Sequence, residues 1–339
     1  MTFRHILRDQ NFGELLVGHY KPESLERLFC SIQSLNSNDL CRKLPADYYD
    51  YIVIDEFHHA AAKGYQELLE HFTPKYLLAL TATPERHDGM DILKYFDNHI
   101  AAEIRLPDAI NKKLLSPFQY FGISDCVDLS SLRWTNGGYD KTQLNNIFNG
   151  NVQRAFLVLQ KMHEILLDIA QCRALCFCVS QDHAEYMNAF FNEHGVHSAV
   201  LTAHSLSSER DTVQQRLRQR EINVICVVDL YNEGVDIPEI DTVLFLRPTE
   251  SLTVFLQQLG RGLRLCDDKE CLTVLDFVGN AHRNFNFEYR FRAMLGASGQ
   301  NVADELGHGF PHLPAGCHIE LEKEAQERIL ANIKSSISN

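Results

Sequence analysis

Two adjacent carboxylates after an apolar run are the first residues whose types suggest chemistry. Asp55 and Glu56 end the run YDYIVIDE. Adjacent acids in a loop can divide two tasks, because one can hold Mg²⁺ through water while the next orients and deprotonates an attacking water. An ordinary strand end with solvated acids has the same sequence, so this pair alone decides nothing.

Two hydroxyl groups follow the next apolar run. Thr81 and Thr83 lie in the segment LTATPER, residues 80–86. Hydroxyls at a strand end can transmit a change at a bound phosphate to the other side of a sheet. Threonine is also common in strands for structural reasons alone, so this signal is weak by itself.

A glycine turn follows a third apolar run, in the sequence DLYNEGVDIP at residues 229–238. Gly234 permits a close approach of the backbone to a ligand. Asp236 and Glu233 are candidates for binding a ribose or positioning a cation. A strand-to-loop turn with a conformational glycine is the structural alternative.

Two arginines, Arg261 and Arg264, lie in the segment QQLGRGLR at residues 257–264. They share one helical face if the helix continues through Gly260 and Gly262. Each glycine costs a helix about 1 kcal/mol, so the backbone here is expected to serve something other than stability. Arginines presented to a neighbouring domain can neutralise charge on a transferring phosphoryl group, although two surface arginines are the simpler interpretation of this segment alone.

The elements that must position these residues are strands alternating with helices, which predicts parallel sheets covered on both faces and chemistry at the carboxyl ends of the strands. Helices are predicted at 22–35, 64–72, 90–97, 152–170, 182–193, 207–220 and 252–260. Strands are predicted at 49–56, 76–84, 101–106, 174–179, 197–202, 223–229, 241–246 and 272–277.

The pattern weakens between residues 116 and 150, where WTNGGYD carries turn signals, and we place the domain boundary there. The expected organisation is a first domain with its linker at 1–145, a second domain at 146–285, and a short, mostly helical extension at 286–339. The 339 residues are 45% hydrophobic, which is enough for two cores.

Composition excludes several classes of protein. No apolar run reaches the roughly 20 residues of a membrane span, and the first residues do not form a secretory signal, so a cytoplasmic protein is expected. The ten cysteines contain no C-x-x-C pair and are expected to be mostly buried free thiols. A net charge of −13 counts against a passive DNA-coating protein, but not against a motor with a local basic track.

Because the acidic pair, the threonines, the glycine turn and the arginines occur in one order, the sequence resembles superfamily-two DEAD/DEAH-box helicases. In particular it resembles bacterial helicases related to the motor (Res) subunits of type III restriction enzymes. DEFH, TATPER, FCVS, NEGVDIP and QQLGRGLR are similar to helicase motifs two to six, and SIQSL at 31–35 to the strand-contacting motif before the acidic box. The resemblance covers roughly residues 1–290.

The resemblance implies two RecA-like parallel-sheet domains in tandem, with ATP and Mg²⁺ bound between them and nucleic acid, expected to be DNA, as the partner. Asp55 would bind Mg²⁺ through water and Glu56 would be the catalytic base, with Arg261 and Arg264 as arginine fingers. The remaining implied roles are nucleotide contact by Gly234, Asp236 and Gln257, coupling by His58, Thr81 and Thr83, and nucleic-acid contact by Ser34, Ser180, Thr202 and His204.

The sequence departs from the family at the phosphate-binding loop. Only 54 residues precede Asp55, and the chain contains no Gly-Lys dipeptide, which ends that loop in the family. The first domain is therefore expected to be truncated at its N-terminus and to expose an apolar edge. A fragment of a longer helicase, a truncated reading frame and a degenerate motor that binds without turnover all fit this absence.

Two other functions compete with the motor. The first is a catalytically inactive nucleic-acid-binding or docking module of a restriction or defence complex, which the absent loop favours and which Glu56, Arg261 and Arg264 oppose. The second is a nuclease. His19, Lys21 and Glu26 only weakly match a phospholipase-D-type box, so nuclease or other domains of a longer chain are expected as partners instead.

Overall fold

A computed structural model describes residues 2–18, 20–60, 62–82, 92–135, 137–228, 237–296 and 301–337 of the protein. The chain divides into two compact units, Met1–Glu103 and Ile104–Asn339. Each unit has its own apolar core.

Short parallel strand pairs form the described part of the first unit. Strand β1 (Glu14–Leu16) pairs with β2 (Leu28–Cys30), and β3 (Tyr51–Ile54) pairs with β4 (Tyr76–Ala79). The helices are α1 (Thr2–Leu7), α2 (Ile32–Ser37), α3 (Leu40–Lys43) and α4 (Lys63–His71). Phe57, Leu40 and Ile54 are among the buried residues of this core.

One face of the β3–β4 sheet is apolar and exposed. Side chains alternate across a strand, so Ile54 is buried while Tyr51 and Val53 are exposed. Tyr51 stacks on Tyr76, which is exposed too, with ring centroids 4.6 Å apart, and Leu78 is also exposed. The sequence predicts an exposed apolar strand edge, whereas the described residues show an exposed apolar face of this sheet; the expected edge remains a prediction.

A seven-stranded, fully parallel sheet forms the centre of the second unit. The strands of this unit are β5 (Phe118–Asp128), β6 (Trp134–Thr135), β7 (Gly138–Tyr139), β8 (Ala174–Phe177), β9 (Ser198–Leu201), β10 (Val224–Val227), β11 (Thr242–Phe245), β12 (Leu272–Asn280) and β13 (His318–Leu321). The sheet order is β13-β5-β12-β11-β8-β10-β9, and β6 and β7 form a separate antiparallel pair.

Helices cover both faces of this sheet. They are α5 (Leu106–Asn111), α6 (Lys141–Phe148), α7 (Val152–Ile165), α8 (Gln181–Glu193), α9 (Ser207–Arg218), α10 (Leu252–Gly262), α11 (Phe287–Leu295), α12 (Val302–Gly307) and α13 (Lys323–Ile337). The alternation of β8 shows the two-sided burial, because Leu175 and Phe177 belong to one core cluster while Ala174 and Cys176 belong to the other. None of the described helices has both the length and the hydropathy that a membrane crossing requires.

Most predicted elements of the second domain are confirmed, but four expectations are wrong. The stretch 22–35 contains β2 and the start of α2, because Ser31 caps α2 and breaks the chain after an apolar triplet. Residues 101–106 are not a strand, since Leu106 already begins α5. Of the predicted helix at 90–97, the described part contains a 3₁₀ turn at Leu93–Phe96.

The expected domain boundary near residue 145 is the fourth error. Strand β5 pairs with β12 and β13, so residues 104–145 belong to the second unit. The turn signals of WTNGGYD lie at the β6–β7 hairpin and not at a linker. The C-terminal extension is mostly helical as expected, yet β13 makes it part of the same sheet.

Candidate functional site

The carboxylates of the first unit lie at the carboxyl end of β3. The strand pairing continues past the strand, because the Leu80 N–H donates to the Ile54 carbonyl and the Phe57 N–H donates to the Leu80 carbonyl, both at 2.9 Å. Phe57 is fully buried and anchors the turn. Asp55 is exposed, and its Oδ1 accepts a hydrogen bond from the Glu56 N–H at 2.9 Å.

Glu56 is held in an unusual backbone conformation at this turn. Its φ of 51° lies in the left-handed region, which non-glycine residues adopt rarely and often at functional sites. The Nδ1 atom of the largely buried His58 lies 3.2 Å from Glu56 Oε2. The imidazole of His58 therefore lies directly against the Glu56 carboxylate.

Thr81 follows β4 directly beside this turn. Ile54 and Ala79 are register partners, so the residues after β3 and β4 lie at the same end of the sheet. The structure thus brings Asp55, Glu56, His58 and Thr81 together, in agreement with the sequence-based expectation. Thr83 lies outside the described residues.

Asp55 fits the expected magnesium ion. Its exposed carboxylate is the hard oxygen ligand that Mg²⁺ prefers, and it makes no ion pair with any residue that the structure describes. Glu56, turned toward His58, has a different environment from its neighbour. The two acids can therefore take different tasks.

Three of the predicted nucleic-acid contacts lie at one edge of the second unit's sheet. Ser180 follows β8, and Thr202 and His204 follow β9. Strands β8 and β9 both pair with β10 in parallel, so all three residues lie at the carboxyl edge. Gly234 and Asp236 follow β10 in sequence, but they lie outside the described residues.

Local hydrogen bonds use the hydroxyls at this edge. Ser180 caps α8, since its Oγ accepts from the His183 N–H at 3.1 Å, and it donates to Asn145 Oδ1. Thr202 Oγ1 accepts from the His204 N–H at 3.2 Å. His204 itself is exposed. The edge therefore combines structural hydroxyls with an exposed imidazole.

Ser34 lies in the first unit, in α2. The Ser34 N–H donates to Ser31 Oγ at 3.2 Å, and the two hydroxyls are 3.0 Å apart. This pair forms the N-terminal cap of the helix, and Ser34 is half-buried. Its contact with nucleic acid remains a prediction.

Gln257 and Arg261 lie four residues apart on α10 and so share one face of that helix. The buried Nε2 atom of Gln257 has no hydrogen-bond partner among the residues that the structure describes, so this amide has a donor to offer to a phosphate oxygen. The expectation that Arg264 shares a helical face with Arg261 is wrong. The helix ends at Gly262, so Arg264 lies beyond it and does not continue the face of Arg261.

Several contacts fix the carboxyl end of α10. A Cβ atom on Gly262 would lie 2.3 Å from Leu272 Cδ1, so the helix and β12 approach too closely for a side chain at residue 262. Ser116 donates twice to the Leu263 carbonyl, from its N–H at 2.8 Å and its Oγ at 3.0 Å. The Lys269 ammonium donates to the Gly262 carbonyl at 3.0 Å.

A buried charge network holds the start of the same segment. Arg290 donates to Asp276 Oδ2 at 2.9 Å and to the Thr249 carbonyl, and Thr249 Oγ1 donates to Gln258 Oε1 at 3.3 Å. Tyr120 donates to the same oxygen of Asp276. Burial raises the pKa of Asp276 and of Tyr120. The sequence pattern did not single out Lys269 and Arg290, because each has hydrogen-bond partners that are distant in the chain.

A cluster of thiols lies in the core of the second unit. The sulfur atoms of Cys176, Cys178 and Cys226 lie within 4.8 Å of one another and are fully buried. They pack among apolar side chains of one core cluster, and burial raises the pKa of Cys176 well above its ordinary value. The expectation of buried free thiols is confirmed for these three and for Cys172, but it is wrong for the other six cysteines, of which five are half-buried and Cys126 is exposed.

Two protein-family profiles match the chain. Residues 1–86 match the type III restriction enzyme res subunit, and residues 158–266 match the helicase conserved C-terminal domain. The first contains the carboxylates of β3, and the second contains Ser180, Thr202 and α10.

Individual proteins are similar over most of the chain. A Saccharomyces cerevisiae protein assigned as the ATP-dependent helicase IRC3 is 26% identical over 76% of this chain and 38% of its own length. The 51.5 kDa protein of a Lactococcus phage is 31% identical over 68% of this chain and 49% of its own. The DNA 3'-5' translocase XPB2 of Sulfurisphaera tokodaii is 25% identical over 67% and 58%. The chain therefore spans about half the length of these relatives.

Solved structures share the fold. A fragment assigned as the HsdR subunit of a type I restriction enzyme from Vibrio vulnificus superposes with a TM-score of 0.64 and 22% identity, over 95% of this chain and 57% of that one. Saccharomyces cerevisiae Dbp5 bound to RNA and ADP BeF3 gives a TM-score of 0.55 at 10% identity, over 97% and 76%. The predicted tandem RecA-like α/β fold is thereby confirmed.

The two matched profiles, their order, and the motif residues at the carboxyl ends of parallel strands agree with one another. These matches support a superfamily-two helicase core, in which a segment similar to the type III restriction enzyme res subunit precedes a helicase conserved C-terminal domain.

Proposed function

We propose that the protein is a nucleic-acid-dependent ATPase motor, a helicase or translocase that acts on DNA, with both units contributing residues to hydrolysis. The arrangement at the end of β3 is the observation that supports this most. It combines an exposed Asp55, a Glu56 in a left-handed conformation, and His58 beside the Glu56 carboxylate. Seven other described non-glycine residues also have a positive φ, so the support comes from the combination of the three features at one strand end and not from the backbone conformation alone.

Glu56 is proposed as the general base. Its carboxylate accepts a proton from a water molecule as the water oxygen attacks the γ-phosphorus of ATP, and ADP leaves. His58 orients that carboxylate. Asp55 would hold Mg²⁺ through water, and the ion would neutralise phosphate charge when bound. Thr81, and Thr83 in the adjoining segment, are proposed to couple this end of the sheet to nucleic acid.

Residues of the second unit are proposed to complete the reaction. Arg261 and Arg264 would stabilise charge on the transferring phosphoryl group, and Gln257 would donate to a phosphate oxygen through its buried amide. Gly234 and Asp236 are proposed to contact the nucleotide. Of the two arginines, Arg261 is the stronger candidate, because it shares a helical face with Gln257.

The nucleic-acid strand is proposed to run along the carboxyl edge of the second unit's sheet, past Ser180, Thr202 and His204, with Ser34 as a contact on the first unit. DNA is favoured over RNA because one relative is named a DNA translocase and others are restriction enzymes. The restriction enzymes also suggest that nuclease or other domains work beside this motor.

A second function is favoured by one feature of the sequence. The chain contains no Gly-Lys dipeptide, so the lysine that neutralises phosphates in the family is not among its residues. A nucleic-acid-binding or docking module without ATP turnover would have this feature. Such a module would bind DNA with an affinity that ATP and Glu56→Gln do not change.

The experiment that tests the motor is ATP-driven displacement of a third strand from a triplex at the end of a DNA duplex. The protein is purified through a C-terminal tag from the cell that makes it, so its natural length is retained. We expect displacement that requires ATP and is lost in Glu56→Gln. DNA binding without ATP-dependent displacement or ATP hydrolysis would favour the docking module, and stimulation of hydrolysis by RNA alone would refute the assignment to DNA.

A further inference from the structure

A buried ammonium group connects two segments of the second unit. Lys269 lies in the loop between α10 and β12 and is only 9% exposed. Its Nζ donates to three backbone carbonyls, those of Pro238 at 2.9 Å, Ile240 at 3.0 Å and Gly262 at 3.0 Å. All three donors of the ammonium are therefore used by the backbone.

Burying this ammonium group destabilises the folded protein unless other contacts replace the water it has lost. Removing an ammonium from water costs several kcal/mol, and Lys269 forms no ion pair with any carboxylate that the structure describes. Burial lowers the pKa of Lys269, as expected for a charge taken out of water. The three carbonyls compensate by converging on one point, so the ammonium fixes the distances between them.

One of the three carbonyls ends the helix that carries Arg261. The last carbonyls of a helix have no partner within it, and a positive charge there also complements the helix dipole. Gly262 is the residue after Arg261, and its contact with Leu272 leaves the helix end little room to shift. A movement at the Gly262 carbonyl would therefore move Arg261.

The other two carbonyls belong to the segment that comes directly after residues 229–236. That stretch contains Gly234 and Asp236, for which we proposed nucleotide contact. Pro238 and Ile240 lie two and four residues after Asp236 in sequence, and Lys269 binds the carbonyls of both. One nitrogen atom thus joins the segment that follows the glycine turn in sequence to the end of the arginine helix.

We propose that Lys269 is a positioning residue, which holds the helix of Arg261 in register with the segment after the glycine turn. This inference rests on the proposed ATP hydrolysis, because it assigns Lys269 a part in the same reaction. An arginine displaced by about 1 Å can lower a rate by roughly 100-fold. Because Arg261 acts on charge that develops in the transition state, the loss should appear in kcat and not in KM.

The experiment uses Lys269→Met, which keeps the chain length without donors, and the milder Lys269→Gln, which retains an amide donor. The matched control is Met187→Ala. Met187 is buried in the core cluster on the other face of the sheet, so its truncation destabilises the unit without touching α10. Hydrogen exchange is measured for residues 259–264 and 239–242, and ATP hydrolysis is measured with saturating DNA.

We expect faster exchange in both segments of the Lys269 variants, with kcat lower by about tenfold to 100-fold and KM within about twofold. Met187→Ala should leave exchange in both segments and kcat near wild-type values. Unchanged exchange in either segment, or a loss of kcat no larger than that of Met187→Ala, would overturn the inference. Wild-type protein without hydrolysis would refute the proposed function and the catalytic part of this inference, whereas exchange would still decide whether Lys269 links the segments.

Discussion

Arg261 is the residue of the second unit whose proposed role is most open to a direct test. It lies on α10 one turn after Gln257, and the helix end beside it is held by Ser116 and Lys269. An arginine that stabilises charge on a transferring phosphoryl group contributes about 10³-fold to 10⁵-fold to kcat.

We therefore predict that Arg261→Ala lowers kcat for ATP by about 10³-fold or more, with DNA affinity unchanged. Steady-state hydrolysis and fluorescence anisotropy with labelled DNA measure the two quantities. Arg216→Ala is the matched control, because Arg216 is a partly exposed arginine on α9 that pairs with Glu221. Equal effects of the two substitutions would show that Arg261 has no special role.

His183 gives the fold a dependence on pH. It is fully buried on α8, where its Nδ1 accepts from the Val179 N–H at 3.2 Å, and burial lowers its pKa from 6.5 to about 4. The unfolded chain therefore binds a proton more readily than the folded chain between these values. The free energy of unfolding is therefore not reduced by His183 above pH 6.5. It falls, by an amount on the order of 3 kcal/mol, as the pH drops from 6.5 to about 4.

The prediction is that the free energy of unfolding decreases less between pH 6.5 and pH 4 in His183→Asn than in the wild type. The asparagine amide oxygen can still accept from the Val179 N–H, so the hydrogen bond is retained while the titration is removed. Urea unfolding at several pH values measures the difference. Parallel pH profiles for the two proteins would show that His183 does not titrate in this range.

At the residue scale, the sequence predicts where a side chain lies when that depends only on the neighbouring residues in the chain. Asp55, Glu56, Thr81, Ser180 and Thr202 are predictable because polar residues after apolar runs lie at the carboxyl ends of parallel strands. Their roles come from the resemblance and not from geometry. Lys269 was missed because its carbonyl partners are up to 31 residues away, and no local pattern marks a lysine that meets three distant backbone groups.

At the element scale, the N-terminal end of α8 separates a structural role from a functional one. Ser180 caps this helix through its hydroxyl, and the same hydroxyl lies at the edge where nucleic acid is proposed to bind. Aspartate is also a good capping residue, but it adds a negative charge that phosphates repel.

We predict that Ser180→Ala lowers the free energy of unfolding by about 1 kcal/mol, whereas Ser180→Asp retains most of the stability and weakens DNA binding several-fold at low salt. The control is Gln219→Asp, which places the same charge after α9, at the opposite edge of the sheet. Thermal unfolding and anisotropy provide the readouts. If Ser180→Asp binds DNA as the wild type does, the proposed path of the strand is wrong.

The elements themselves are predictable where apolar runs and turn signals agree. The strands and helices from α7 to β12 obey this rule. Strand β5 does not obey it. Its alternating buried and exposed residues are followed closely by the turn residues of the β6–β7 hairpin, so the whole region resembles a linker in sequence. Pairing between strands whose register partners are 154 residues apart, such as Phe118 of β5 and Leu272 of β12, has no local signature in the sequence.

At the scale of the whole molecule, the division at residue 103 has a measurable consequence. Strand β5 lies between β12 and β13 inside the sheet of the second unit. It supplies Asp125 to the buried Arg154 at 2.7 Å, and Tyr120 to Asp276. A chain without β5 would leave Arg154 as an uncompensated buried charge, which costs about 3–5 kcal/mol, in addition to the lost sheet pairing.

We expect a chain of residues 104–339 to unfold in one cooperative thermal transition, and a chain of residues 146–339 to lack that transition. Circular dichroism and differential scanning calorimetry measure both. A cooperative transition in the shorter chain would restore the boundary near residue 145 that the sequence suggested.

The central claim is that this protein hydrolyses ATP in response to DNA, with Glu56 as the base. The most direct measurement is steady-state ATP hydrolysis by the tagged native protein, with and without single-stranded and duplex DNA, for the wild type, Glu56→Gln and the control Glu70→Gln, an exposed acid on α4. We predict DNA-stimulated hydrolysis that falls by about 10²-fold to 10⁴-fold in Glu56→Gln only. Hydrolysis that is absent from the wild type, or that survives in Glu56→Gln, would contradict the account.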